Sequence, residues 1–248
     1  MQNPKKEILE YLDKLKKAFL YLSTYQTQLD QIFEWDRNNP REPYLSGQFM
    51  EISIYNLQTI IMLETYKLAS EKEQISVREL LKHCQTHYSQ IEPSVYSREA
   101  ENQRKVLSKE EYKGIIKKNI EALDAHNETI NHLKAIRNKS IAHADKKYFQ
   151  DSNRLYTDFP LKWKNVIALI ECLKSILKEH IVLIKHVDSD LDRIYGTYDA
   201  KGILTSLRGF ERFWRNKKLL QAGVWFAAFR RDDYDPDIVF MDDINNKP

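Results

Sequence analysis

Val166, Ile170, Leu173, Leu177, Ile181 and Ile184 recur at steps of three and four, and this seam constrains the fold more than any other feature of the chain. A continuous apolar stripe on a helix is stable only when other apolar surface covers it. Further stripes are at hand. Ile8, Leu12, Leu15, Phe19, Leu22 and Leu29 mark a first helix over residues 5 to about 35. A second, over 46 to about 70, is the most apolar stretch, with Ile60, Ile61, Met62 and Leu63 at its centre. Ile116, Ile120, Leu123, Ile130 and Leu133 trace another from about 108 to about 145, long enough that a bend within it is expected. A helical bundle is the simplest way to bury such stripes together, and the predicted class is all-α with four to five main helices.

Local signals place the boundaries. Ser76 with Glu79, and Ser108 with Glu111, read as capping boxes that open helices. The first of these starts a short helix from Val77 to about Tyr88. Residues 36–43 and 151–159 carry turn chemistry, and 92–107 form a polar connection without periodicity. Pro160 falls in a first-turn position for the last long helix, which runs to about Val187. Beyond residue 190 the character changes. The reading is a bundle domain over 1–190 and a C-terminal extension over 191–248, packed on the bundle or partly mobile. That extension holds a short amphipathic helix from Ala200 to Lys218, then two apolar runs around an Asp-rich turn that suggest a hairpin.

Composition excludes several classes. A net charge of +3 is too small to argue for nucleic acid or membrane contact by itself. Cys84 and Cys172 lack metal or redox spacing, which favours a reduced compartment. No apolar run approaches the ~20 residues of a membrane span, and no signal-peptide core is visible at the N-terminus. The expectation is a cytoplasmic protein with no membrane association and no cofactor.

One stretch breaks its pattern: Ala135-Ile136-Arg137-Asn138-Lys139-Ser140-Ile141-Ala142-His143-Ala144-Asp145. Helical steps put Arg137 on the apolar stripe, where a charge that cannot be neutralised needs partners. Glu64 shares a face with Leu57, Ile61 and Leu68 and is one candidate anchor for it, a helix-end carbonyl being the other. His143 follows six residues later. On a regular helix that spacing leaves the two side chains about 120° apart in rotation and ~9 Å apart along the axis, so they cannot meet by simple stacking. Both could edge one groove, which a second copy of the helix could complete across a two-fold axis. Such a groove suits RNA cleavage without metal, in which His143 can move a proton at the ribose 2′-hydroxyl or the leaving oxygen and Arg137 can hold the phosphate. A structural ion pair at Arg137, with His143 merely near a helix end, is the competing reading.

Two other groupings carry less. His83 and His87 stand four apart on one helical face, but a zinc site needs three or four ligands and no further pair offers itself, so surface histidines are the better reading and no metal is expected. Arg208, Arg212 and Arg215 form a basic stripe interleaved with Phe213 and Trp214, which suits phosphate contact with base stacking or simply a solvated face.

The run Arg137-Asn138-Lys139-Ser140-Ile141-Ala142-His143 resembles the defining motif of the HEPN superfamily: an Arg, a polar residue next, and a His after a short spacer. The context is similar to one branch, the HEPN-like domains of abortive-infection proteins of the AbiU type. The stretches that match are the long apolar helix from Phe49 to Leu68, Ile75-Ser76-Val77-Arg78-Glu79-Leu80-Leu81, and Ala142-His143-Ala144-Asp145-Lys146-Lys147-Tyr148. The resemblance implies a HEPN-like bundle that dimerises so that two motif helices face each other. It further implies a metal-independent endoribonuclease of a toxin or phage-defence type. His143 would then be the acid/base, Arg137 the phosphate contact and Asn138 a polar helper, with Asp145 in support. RNA, a second copy of the chain, and an antitoxin or nucleotidyltransferase are the partners it admits. Relatives of this kind also serve as non-catalytic RNA-binding or assembly modules, which is the alternative function.

Overall fold

The computed structural model describes residues 4–38, 48–96, 104–142, 157–187 and 191. Helix α1 spans Pro4–Asn38, α2 Gln48–Ala69, α3 Val77–Thr86 and α4 Tyr88–Ile91. A two-stranded antiparallel ribbon follows, β1 Ser94–Tyr96 against β2 Arg104–Val106, with Val95 opposite Lys105. Then come α5 Lys109–Asp124, α6 Asn127–Ile136, a wide π-helical turn Arg137–Ala142, and α7 Trp163–Lys185. The chain divides into two compact units, Met1–Gln26 with Gln58–Tyr195 and Thr27–Leu57 with Gly196–Pro248.

In the first unit α7 is the hub, packing against α3, α5, α6 and β1. All six of its seam residues are buried, as are Ile8, Leu12, Leu15, Phe19 and Leu22 of α1. In the second unit Ile32 and Trp35 of α1 bury against Ile54 and Leu57 of α2. The all-α bundle expected from the stripes is therefore the observed architecture.

Several boundaries differ from expectation, each for a local reason. Helix α1 continues through Asp36-Arg37-Asn38, where Arg37 Nε donates to the Phe33 carbonyl one turn back at 3.3 Å. Pro160 precedes α7 rather than opening it, because Lys162 is extended and acts as the N-cap. The ribbon in the 92–107 connection has no periodic signal because each strand is three residues long. It is held by side chains instead. Arg104 Nε donates to the buried Ser94 Oγ at 2.9 Å, and the ring of His186, the left-handed C-cap of α7, stands 3.3 Å from the same hydroxyl.

The two caps also differ from each other. Ser108 and Glu111 close a full capping box. At α3 only half of one forms: Ser76 Oγ accepts from Glu79 N–H at 3.2 Å, while the Glu79 carboxylate takes Lys82 at 2.7 Å. The Ser76 N–H has no need of Glu79, because it donates to Tyr11 Oη of α1 at 2.8 Å.

One buried polar chain ties α3, α5 and α7 together. Asn119 Nδ2 donates to Glu179 Oε2 at 2.8 Å and to His180 Nε2 at 3.2 Å. A neutral imidazole has one donor and one acceptor, so the proton must sit on Nδ1, which donates to Tyr112 Oη at 2.8 Å. The Tyr112 hydroxyl is then free to donate to Cys84 Sγ. Burial holds His180 neutral, pulling its pKa down to about 4, and pushes the Cys84 thiol up to about 12.

Candidate functional site

Arg137 ends α6 and opens the wide turn. Its N–H still bonds back to the Leu133 and Lys134 carbonyls, and the backbone then widens into the i→i+5 pattern through Ala142. Such π segments inside helices are frequent at functional sites, because the inserted residue re-aims its neighbours. The turn also changes the geometry assumed from sequence. A 120° separation between Arg137 and His143 assumes a regular α-helix, whereas the described residues Arg137–Ala142 are π-helical.

The Arg137 side chain is half-buried, 35% exposed, rather than sunk into the apolar stripe. Ile136 occupies the buried position beside it, at 2%. The guanidinium stands over the ring of Tyr66, 5.2 Å from its centroid, and its Nη2 lies 3.3 Å from Glu73 Oε1. Tyr66 is buried in α2, and Glu73 sits in the short connection from α2 to α3. A partly exposed ion pair contributes about 0.2–1 kcal/mol and a cation over an aromatic face about 0.5–1 kcal/mol. The seat is thus enough to orient Arg137 without fixing it irreversibly.

Glu64 does not fill the role expected of it. Its carboxylate takes Lys67, one turn further along α2, at 2.7 Å, and Glu73 is the acid beside Arg137. The periodicity of α2 pointed to Glu64 because it reports helical faces only. The connection after α2 carries two acids, Glu71 and Glu73, and that clustering is the signal that could have found the partner.

The connection bearing Glu73 is itself pinned. Tyr11 Oη donates towards the Gln74 and Ser76 carbonyls at 2.9 and 3.1 Å and accepts from Ser76 N–H. Arg78, only 8% exposed, reaches Glu71 at 3.5 Å, Asp124 at 2.7 Å and Asn127 Oδ1 at 3.2 Å. Asp124 ends α5 and Asn127 begins α6, so Arg78 clasps the bend between them. Sequence gave no sign of this role. A single arginine therefore links the Glu73 connection to the helix that carries Arg137.

Asn138 is half-buried within the turn. Lys139 Nζ lies over the ring of Phe159 at 5.6 Å, and His132 of α6 meets the same ring edge-on at 6.3 Å. His143, Asp145, Arg208, Arg212 and Arg215 lie outside the described residues. His83 and His87 stack on each other at 6.3 Å, and His83 also meets Tyr11. Among the described residues no three His, Cys, Asp or Glu side chains are grouped to hold a metal, and no helix is long and apolar enough to cross a membrane.

An all-α bundle that carries an Arg-Asn pair at the end of α6 is consistent with a HEPN-like domain. A family profile described as AbiU2, of the HEPN type, matches residues 5–198, and the chain belongs to this HEPN AbiU2 family. Membership suggests a function related to abortive infection. No curated protein and no solved structure matches the chain.

Proposed function

We propose that this protein is a metal-independent endoribonuclease of the abortive-infection type, with Arg137 and His143 as its working pair. The observation that supports this most is the seat of Arg137. A charged side chain is held over Tyr66 and against Glu73 at the mouth of a wide helical turn, still partly open to solvent. A purely structural arginine in a bundle would be expected to sink its charge among carboxylates and carbonyls, as Arg78 does.

In the proposed reaction His143 takes the proton from a ribose 2′-hydroxyl, and O2′ attacks the adjacent phosphorus. The bond to the 5′-oxygen breaks, and that oxygen receives a proton from a protonated imidazole. The products are a 2′,3′-cyclic phosphate and a 5′-hydroxyl end. Arg137 holds the phosphate as charge builds on its oxygens, and Asn138 adds a hydrogen bond from the same turn. Proton transfer and charge stabilisation are both supplied by side chains, so the chemistry needs no metal. The site is proposed as one half of a cleft that a second copy of the chain completes.

The test is cleavage of mixed RNA by the purified protein in EDTA, with the product ends analysed. Cyclic phosphate and 5′-hydroxyl ends are expected. Intact RNA, or 5′-phosphate ends, would overturn the proposal.

The pairing of Arg137 with Glu73 also favours a second reading, a non-catalytic RNA-binding or assembly module in which that pairing is structural. It predicts that Arg137→Ala weakens self-association in sedimentation, while wild-type protein binds RNA and leaves it intact.

A further inference from the structure

We propose that Glu73 is a positioning residue for the reaction, setting the orientation of the Arg137 guanidinium against the scissile phosphate; this rests on the ribonuclease reading above. The alternative at the same contact is that Glu73 masks Arg137 and competes with RNA for it. The geometry favours positioning for three reasons.

First, the contact is one-sided. The nearest approach is at one end of the guanidinium, with Glu73 Oε1 3.3 Å from Nη2, a charge contact rather than a bidentate hydrogen-bonded fork over both ends. A monodentate carboxylate aims the planar group and leaves the rest of its donor edge for another oxyanion. Second, the guanidinium already rests over the buried Tyr66 ring, its central carbon 5.2 Å from the centroid. A ring below and an acid at one end determine both the plane and the rotation of Arg137, and that combination is what orientation requires. Third, Glu73 does not sit on a loose segment. Its connection is tied to α1 through Tyr11 and, through Arg78, to the α5–α6 junction on the arm that carries Arg137. A carboxylate intended to swing away when RNA arrives would gain nothing from such anchoring.

Preorganised charge acts on the transition state more than on ground-state binding, so the loss on removing Glu73 should appear in kcat. Steady-state cleavage of a fluorescent mixed-sequence RNA oligonucleotide in EDTA would be compared for wild type, Glu73→Gln, Glu73→Asp and the pair Arg137→Lys and Arg137→Lys/Glu73→Gln. Positioning predicts that Glu73→Gln lowers kcat about tenfold with KM within about twofold of wild type. Glu73→Asp, which keeps the charge, should retain most of kcat. In the Arg137→Lys background, adding Glu73→Gln should cost nothing further, because a residue that acts through Arg137 has no one left to position. Wild-type or raised kcat in Glu73→Gln with a lowered KM would overturn the proposal in favour of masking. Equal losses in the Gln and Asp variants, or the same loss repeated in the Arg137→Lys background, would overturn it in favour of a structural role. Failure of the underlying reading is separately visible, because wild-type protein would then leave the RNA intact and positioning would fall with it.

Discussion

Acid should weaken this bundle through His180. The imidazole is fully buried between Tyr112 and Asn119, and burial lowers its pKa from 6.5 to about 4. An unfolded chain binds a proton there as pH falls through 6.5, whereas the folded chain refuses it until about 4. Below pH 6.5 the unfolded state therefore holds more protons, and stability falls as pH falls, levelling out only below the folded pKa. Integrated over that window, the contribution lost relative to pH 7 is about 2 kcal/mol by pH 5 and about 3 kcal/mol by pH 4. Urea denaturation at pH 7, 6 and 5 would measure it, with His180→Gln as the comparison. Glutamine keeps a donor and an acceptor but does not titrate, so its unfolding free energy should depend less steeply on pH than that of the wild type. The carboxylates and other histidines, His186 included, are common to both proteins and cancel in the difference. Parallel pH profiles for the two proteins would refute the reasoning.

Two further outcomes follow from the same packing and a third from the proposed shared cleft. Arg78→Ala removes the clasp on the α5–α6 bend but leaves Asp124 able to reach water, so unfolding free energy should drop by about 1–2 kcal/mol; an unchanged denaturation midpoint would contradict this. Tyr11→Phe leaves the part-buried Ser76 N–H without its acceptor, and a loss of about 1–2 kcal/mol is expected by thermal denaturation, together with a lower kcat because the Glu73 connection loosens. Arg137→Ala and His143→Ala proteins, each inactive alone, should recover part of the activity when mixed and allowed to exchange subunits, since a mixed dimer retains one arginine and one histidine from different chains. No recovery would count against a shared cleft.

What the sequence made legible was what repeats. The α7 seam and the α1 stripe were readable because six residues at helical spacing fix a face without knowledge of its partner, and all the named α7 positions are buried. Ser108 and Glu111 were readable because a capping box is wholly local. Ser76 was only half readable, since its N–H is satisfied by Tyr11, 65 residues away. The same limit explains Glu73. The positions of Arg137 and Glu64 on apolar faces suggested a pair, but the connection after α2 brings a different acid into reach, and no periodicity describes a connection. His180 carries no local signal of its role, yet its two ring nitrogens make it the centre of a buried chain spanning α5 and α7. The wide turn at Arg137 left no mark beyond the misplaced charge itself, because no residue of Arg-Asn-Lys-Ser-Ile-Ala forbids a regular helix.

The central claim is that Arg137 and His143 together cleave RNA. Its most direct measurement is cleavage of the same RNA in EDTA by wild type, His143→Ala and Arg137→Ala, each confirmed as folded by circular dichroism. Wild type should cleave, and each variant should lose at least about a hundredfold in rate, the scale expected on removing an acid/base or a charge-stabilising donor. Equal cleavage by wild type and His143→Ala would contradict the assignment.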